Sequence, residues 1–132
     1  MQFRYSIFGE SHGPAIGVVL ENLPSGIPVD MDFIGREMAR RQAKKGGLST
    51  TRIEADRPEI LSGVFNGHTT GTPLCAVIQN GNTHSSDYDA IMTLARPSHA
   101  DYTGRVRYGG FNDYRGGGHF SGRLAAPMGF AG

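Results

Sequence analysis

The chain has 132 residues, thirteen basic and twelve acidic side chains, and a formal charge of +1. That length fits one ordinary domain, and so even a charge argues against a general nucleic-acid or membrane binder. The single cysteine, Cys75, excludes an internal disulfide and fits a reducing compartment; twenty glycines without a Gly-X-Y period exclude collagen.

No signal peptide opens the chain, and no apolar run reaches the ~20 residues of a membrane helix, so the expected location is cytoplasmic. Residues 3–8, FRYSIF, alternate loosely and predict a strand. Residues 15–24, AIGVVLENLP, have a β-branched centre and predict a second strand ending at Pro24. PSGIP is a turn. Asp30 predicts the cap of a helix from Met31 to about Gln42, with Ile34 and Met38 on one face. AKKGG (43–47) reads as a basic loop. Residues 59–65 and 72–79 predict an antiparallel pair joined by NGHTTG, with Cys75 a buried small hydrophobe. NGNTHSSD (80–87) is turn-rich, and YDAIMTLA predicts a short helix. Arg96 to Gly118, rich in glycine and arginine, reads as a long functional loop. A helix can start near Ser121, with Pro127 limiting it to a turn or two. The apolar ending LAAPMGFAG reads as the front part of a longer protein.

Charge is distributed unevenly. Arg40 to Arg57 carries six cations against two anions, and Arg96 to Arg123 carries five arginines against Asp101 and Asp113. Such local excess suits a compact anionic ligand. GESHG (9–13) places Glu10, Ser11 and His12 between glycines. Composition alone leaves this open between a plain turn with a locally bonded histidine and a proton-transfer site, since an imidazole titrates near neutrality. RPSHAD (96–101) offers His99 in the same two ways. DYRGGGHFSGR (113–123) has three consecutive glycines flanked by Arg115 and Arg123. It reads either as a structural loop or as an anion-binding nest of backbone N–H groups. It is not a Walker motif, because the lysine is missing. The five histidines lack paired metal-ligand spacing, so no metal is expected.

Taken together, FGESHGPAIG, SGVFNGHTTGTPL, RPSHADYTG and DYRGGGHFSGR closely resemble the chorismate synthase family, across essentially the whole chain. The resemblance implies an α+β fold in which helices lie between antiparallel sheets, here incomplete, with residues 1–132 as its N-terminal portion. It implies an anti-1,4 elimination of phosphate from 5-enolpyruvylshikimate 3-phosphate, giving chorismate, with reduced FMN as cofactor and NADPH as a candidate reductant. It implies a small-molecule phosphorylated substrate and a homotetramer, with no nucleic-acid or membrane partner. His12 matches the family histidine beside the leaving phosphate, His99 the one beside the flavin, and Ser11 a serine near the reacting flavin edge. His119, Phe120 and Ser121 match a flavin-contacting segment. Arg41 matches an arginine of the substrate and nucleotide region, while Arg52 and Arg123 are further contacts for an anionic substrate. Charge-assisted bonds are roughly twice as strong as neutral ones, which suits arginines converging on a phosphate and two carboxylates. Two positions depart from the family pattern: Ser98 stands where glycine is usual, and Gly47 where a second basic residue is usual. Two rival readings are an inactive fragment keeping part of a flavin or phosphate site, and an RNA-binding module built on the arginine-rich loops.

Overall fold

The computed structural model describes residues 2–40, 57–81 and 100–132. Strands β1 (Arg4–Gly9) and β2 (Ala15–Glu21) form an antiparallel hairpin closed by the Glu10–Pro14 turn. Strand β6 (Leu74–Gln79) pairs with the other edge of β2, and β3 (Glu59–Ser62) pairs with β6. The result is a four-stranded antiparallel sheet in the order β1-β2-β6-β3. Helix α1 (Met31–Arg40) follows β2, α2 is Asp101–Arg107, and α3 is Ala125–Ala131.

Side chains alternate across a strand with period two, so register decides which residues meet. Ile16, Val18 and Leu20 of β2 lie opposite Ile78, Ala76 and Leu74 of β6, and all six are buried. Met38 of α1 and Leu124, Ala126 and Phe130 from the C-terminal helical segment cover this face. Fully burying a large aliphatic side chain of this kind is worth roughly 1.5–3 kcal/mol, so the β2–β6 pair contributes strongly to the stability of the fold. On the opposite face Phe8 of β1 lies across Gly17 of β2. A Cβ at Gly17 would run into the Phe8 ring and lie 2.6 Å from the Ala76 carbonyl oxygen. Glycine there lets an aromatic ring lie flat on the sheet.

Helix α1 begins as the sequence predicts. Asp30 Oδ1 accepts from the Phe33 N–H at 3.0 Å, Met38 is buried, and Ile34 packs against the core. Its end beyond Arg40, the basic loop at 43–47 and the predicted helix YDAIMTLA lie outside the described residues.

Four expectations need correction. The predicted strand 59–65 is two pieces. Gly63 turns the chain with φ +83°, and a Cβ there would lie 2.5 Å from Leu74 Cα. Val64–Phe65 (β4) then pairs with His68–Thr69 (β5), inside the segment read as a connector. The long loop at 96–118 contains α2, in which Gly104 is the only buried one among the residues whose burial is described, so there is no apolar stripe for periodicity to detect. The last helix has the expected length of about two turns, but Pro127 does not end it. The proline sits in the first turn of α3, where no N–H partner is needed, and the helix continues to Ala131. Cys75 is only half-buried, because its side chain points to the face opposite the core.

Replacing Gly17 with alanine is expected to destabilise the fold by about 1–3 kcal/mol through overpacking. Phe8 can rotate away, but the Ala76 carbonyl cannot. Urea unfolding should show a lower midpoint at unchanged slope; an unchanged midpoint would contradict this account of the glycine.

Candidate functional site

The GESHG turn cannot be held by its own residues, since glycine costs about 0.5–1 kcal/mol relative to alanine in ordered structure. Gly9 has φ +105°, and a Cβ there would lie 2.6 Å from the Ala15 carbonyl oxygen. Within the turn, the Gly13 N–H donates to the Glu10 carbonyl at 3.1 Å. The rest of the support comes from elsewhere in the chain. Asn80, just past the end of β6, donates from Nδ2 to the Glu10 carbonyl at 3.1 Å and the Gly13 carbonyl at 2.8 Å. Its backbone N–H donates to the Pro14 carbonyl at 3.1 Å. Held in this way, Ser11 and His12 are both buried, Ser11 to 2% exposure.

The second support is the glycine run. A 3₁₀ segment, Arg115–Phe120, is interrupted by Gly116, Gly117 and Gly118, with φ of 58°, 88° and 57°. The Ser11 N–H donates to the Gly118 carbonyl at 3.1 Å. Ser11 Oγ lies 3.0 Å from the Arg115 carbonyl oxygen, 3.1 Å from that of Gly116 and 3.0 Å from His12 Nδ1. A Cβ on Gly116 would run into the His12 ring and lie 2.8 Å from Ser11 Oγ. A Cβ on Gly118 would run into the Asp113 carbonyl oxygen. Glycine is thus needed here for close approach as well as for backbone conformation. The surface turned toward Ser11 is one of carbonyl acceptors, so on that side the run serves the structural one of its two readings.

Asp113 holds the entry to this run. Its Oδ1 accepts from the Arg115 backbone N–H at 3.0 Å and Nε at 2.9 Å, and its Oδ2 from Nη2 at 2.7 Å. The Arg115 hydrogen bond holds the Asp113 carboxyl below the usual carboxylate range against the opposing effect of burial, and the nearby His12 adds to the lowering. The same hydrogen bond raises Arg115 further. Arg115 is therefore tied to a carboxylate of its own chain, so sequence counting overstates the positive charge beside the glycine run.

His119 and Phe120 end the 3₁₀ segment. His119 Nδ1 donates to the Gly9 carbonyl at 2.8 Å, tying this segment to the end of β1. Phe120 packs on Tyr108 with ring centroids 6.2 Å apart, and Gly104 of α2 leaves room for its ring. Between the end of β1 and residues 108–120 lies a cleft of about 470 Å³, lined by Phe8, Tyr108, Phe111, His119 and Phe120 and by the acidic residues Glu10 and Asp113. Ser11 and His12 are not among its lining residues. Ser121 Oγ accepts from the Arg123 N–H at 3.2 Å and caps the next turn. Arg123 Nε donates to Asn80 Oδ1 at 3.2 Å.

The structure thus brings together Ser11, His12, His119, Phe120, Ser121 and Arg123 from two distant segments. His99, Arg41 and Arg52 lie outside the described residues. Sequence reasoning missed Asn80, whose position after an apolar strand reads as ordinary turn chemistry. It also missed Asp113, whose spacing of two from Arg115 was the available signal. Among the described residues no group of three or more His, Cys, Asp or Glu could hold a metal, and no helix is long and apolar enough to cross a membrane.

A family model described as chorismate synthase matches residues 3–132. The chain belongs to the chorismate synthase family. Among curated relatives, the chorismate synthase of Thermococcus kodakarensis is 51% identical over 128 residues, covering 97% of this chain and 36% of the relative. That of Dehalococcoides mccartyi is 49% identical over 130 residues, covering 98% and 36%. A crystal structure of chorismate synthase superposes with a TM-score of 0.67 at 30% identity, covering 98% of this chain and 31% of that one. The α+β chorismate synthase fold expected from the resemblance is therefore the observed one. The chain spans about a third of the length of the relatives it matches.

The Asp113–Arg115 pair sets an acid-side dependence. A carboxyl whose folded value is depressed stabilises fully above its ordinary value of about 3.9 and loses that contribution as pH falls through the folded value. Asp113→Asn is expected to lower stability near neutrality by about 1–3 kcal/mol. It should also flatten the acid limb between about pH 5 and pH 2. Urea unfolding across pH measures both. Parallel acid limbs for wild type and variant would show that the pair does not operate in solution.

Proposed function

We propose that this chain supplies the N-terminal part of the active site of a chorismate synthase, a carbon–oxygen lyase of aromatic amino-acid biosynthesis. The reaction is the anti-1,4 elimination of phosphate from 5-enolpyruvylshikimate 3-phosphate. The observation that carries this reading is the seating of the GESHG turn on the RGGGH run: Ser11 bonds to its carbonyls and His12 is buried beside Gly116, while His119 and Phe120 of the same segment line a ligand-sized cleft. Clefts of roughly 300–1,000 Å³ are typical of small-molecule sites.

Reduced FMN fits this setting. Tyr108, Phe111 and Phe120 offer aromatic surface to a flat ring, and His119 adds a polar group fixed by the Gly9 carbonyl. When bound, reduced FMN would supply electron density to the carbon that loses phosphate, with NADPH the candidate reductant. In this reading His12 holds a proton for the departing phosphate, and His99 holds one on the flavin side. Arg41, Arg52 and Arg123 balance the phosphate and carboxylates of the substrate. His119, Phe120 and Ser121 bind and orient the cofactor. The family assignment also makes a cytoplasmic homotetramer the proposed working form.

The test supplies the remainder of the family length. Residues 1–132 are joined to the C-terminal two-thirds of the Thermococcus kodakarensis chorismate synthase, and chorismate is followed with reduced FMN and substrate under anaerobic conditions. The chimera is expected to form chorismate, and His12→Ala to slow it by about 10²–10⁴-fold, the usual range for a general acid. A folded chimera that turns over equally well with and without His12 would overturn the assignment. If the chimera does not fold, FMN binding to the 132-residue chain and its loss in Phe120→Ala decide whether the cleft is a cofactor site.

A further inference from the structure

We infer that Ser11 is a positioning residue that fixes the tautomer of His12, holding the neutral imidazole as Nδ1–H and assigning proton exchange to Nε2. The proton-exchange role rests on the function proposed above; the tautomer itself does not. The argument is a count of donors and acceptors around one oxygen. Ser11 Oγ has three polar neighbours within hydrogen-bond reach: the carbonyl oxygens of Arg115 and Gly116 at 3.0 and 3.1 Å, and His12 Nδ1 at 3.0 Å. A hydroxyl carries one hydrogen and two lone pairs. Carbonyl oxygens can only accept, so the single hydroxyl hydrogen is drawn to them. A hydroxyl hydrogen directed to the imidazole instead would leave two carbonyl oxygens facing an oxygen lone pair inside a buried site, an arrangement that native interiors avoid. With its hydrogen committed to the carbonyls, Oγ accepts from His12, and Nδ1 must carry the proton.

The surroundings prevent escape from this arrangement. Ser11 is 2% exposed, so water does not compete for its hydroxyl. Its backbone N–H is fixed to the Gly118 carbonyl at 3.1 Å, which holds the residue in register with the two acceptors. Gly116 lies so close to the imidazole that a Cβ there would run into the ring. The glycine run therefore acts as a two-acceptor clamp on a serine hydroxyl, and that serine in turn orients a histidine.

The test uses ligand-free, ¹⁵N-labelled 132-residue chain at a pH above the imidazole titration. The His12 ring nitrogens are assigned by comparison with His12→Gln. Protonated and unprotonated ring nitrogens differ widely in ¹⁵N shift. The expected result is a protonated Nδ1 and an unprotonated Nε2. In Ser11→Ala the ratio of Nδ1–H to Nε2–H tautomer should fall roughly three- to tenfold, the loss of one ordinary hydrogen bond. Ser11→Thr, which keeps a hydroxyl, should restore it. A wild-type spectrum showing the Nε2–H tautomer overturns the inference outright, with no dependence on whether any variant folds. An unchanged ratio in a folded Ser11→Ala overturns it as well. No flavin, substrate or turnover enters this measurement, so its failure leaves the proposed elimination untouched. An inactive chimera likewise leaves the tautomer result standing.

Discussion

The whole site depends on one long-range contact: the carbonyls of the RGGG run closing on Ser11. Ser11 and Gly116 are 105 positions apart, yet the serine hydroxyl and backbone N–H both bond into that run. Each partner is poorly determined alone. The turn at 9–13 has glycine at both ends, and the run at 116–118 has glycine throughout. Fixing such residues costs more backbone entropy than fixing any others. The cost is met because each segment supplies what the other lacks. The turn offers a hydroxyl and an N–H, and the run offers unfilled carbonyls. The described residues contain no buried side-chain nitrogen or oxygen without a partner, so the polar interior closes on itself.

Charge follows the same pattern of internal satisfaction. Arginine counting along the sequence suggests a strongly cationic rim, but Arg115 is bound twice through its side chain by Asp113. Its role in the structure is to fix the direction in which the chain enters the glycine run. Arg123 Nε donates to the neutral amide oxygen of Asn80, which helps to orient the guanidinium. Asn80 uses both amide hydrogens on the turn and its oxygen on Arg123, so one residue at the end of β6 aligns two segments proposed to serve the same substrate. An aspartate there would face the Glu10 and Gly13 carbonyls with like charge.

How much of this the sequence discloses depends on whether the signal is local. Strands β1 and β2 and the start of α1 are legible, because alternation, the β-branched centre of β2 and the Asp30 cap are properties of neighbouring residues; the predicted end at Pro24 is not borne out, since β2 stops at Glu21 and Asn22 turns the chain with φ 64°. The β4–β5 hairpin is not, since two-residue strands carry no period. Helix α2 is hidden because it buries a glycine instead of an apolar stripe. The candidate site divides in the same way. His12, His119 and Phe120 are visible as unusual residues in glycine-rich strings. What Ser11 does is not visible, because its acceptors are backbone atoms more than a hundred residues away. Asn80 and Asp113 are common residue types in common settings, and only the folded register reveals their partners.

The six residues from Arg115 to Phe120 are therefore a thin partition with two working faces. Gly116 lies against Ser11 and His12 and the Gly118 carbonyl accepts from the Ser11 N–H, while His119 and Phe120 wall the cleft. Glycine makes the partition thin enough for both, and a side chain at Gly116 would have to displace either the partition or the imidazole. Displacing the partition moves His119 away from the Gly9 carbonyl and alters the cleft; displacing the imidazole breaks the contact with Ser11. The geometry of His12 and the shape of the cleft are in consequence not independent properties. They are set by the same short run of backbone, which is why three consecutive glycines, unfavourable for stability by themselves, are compatible with a well-defined site.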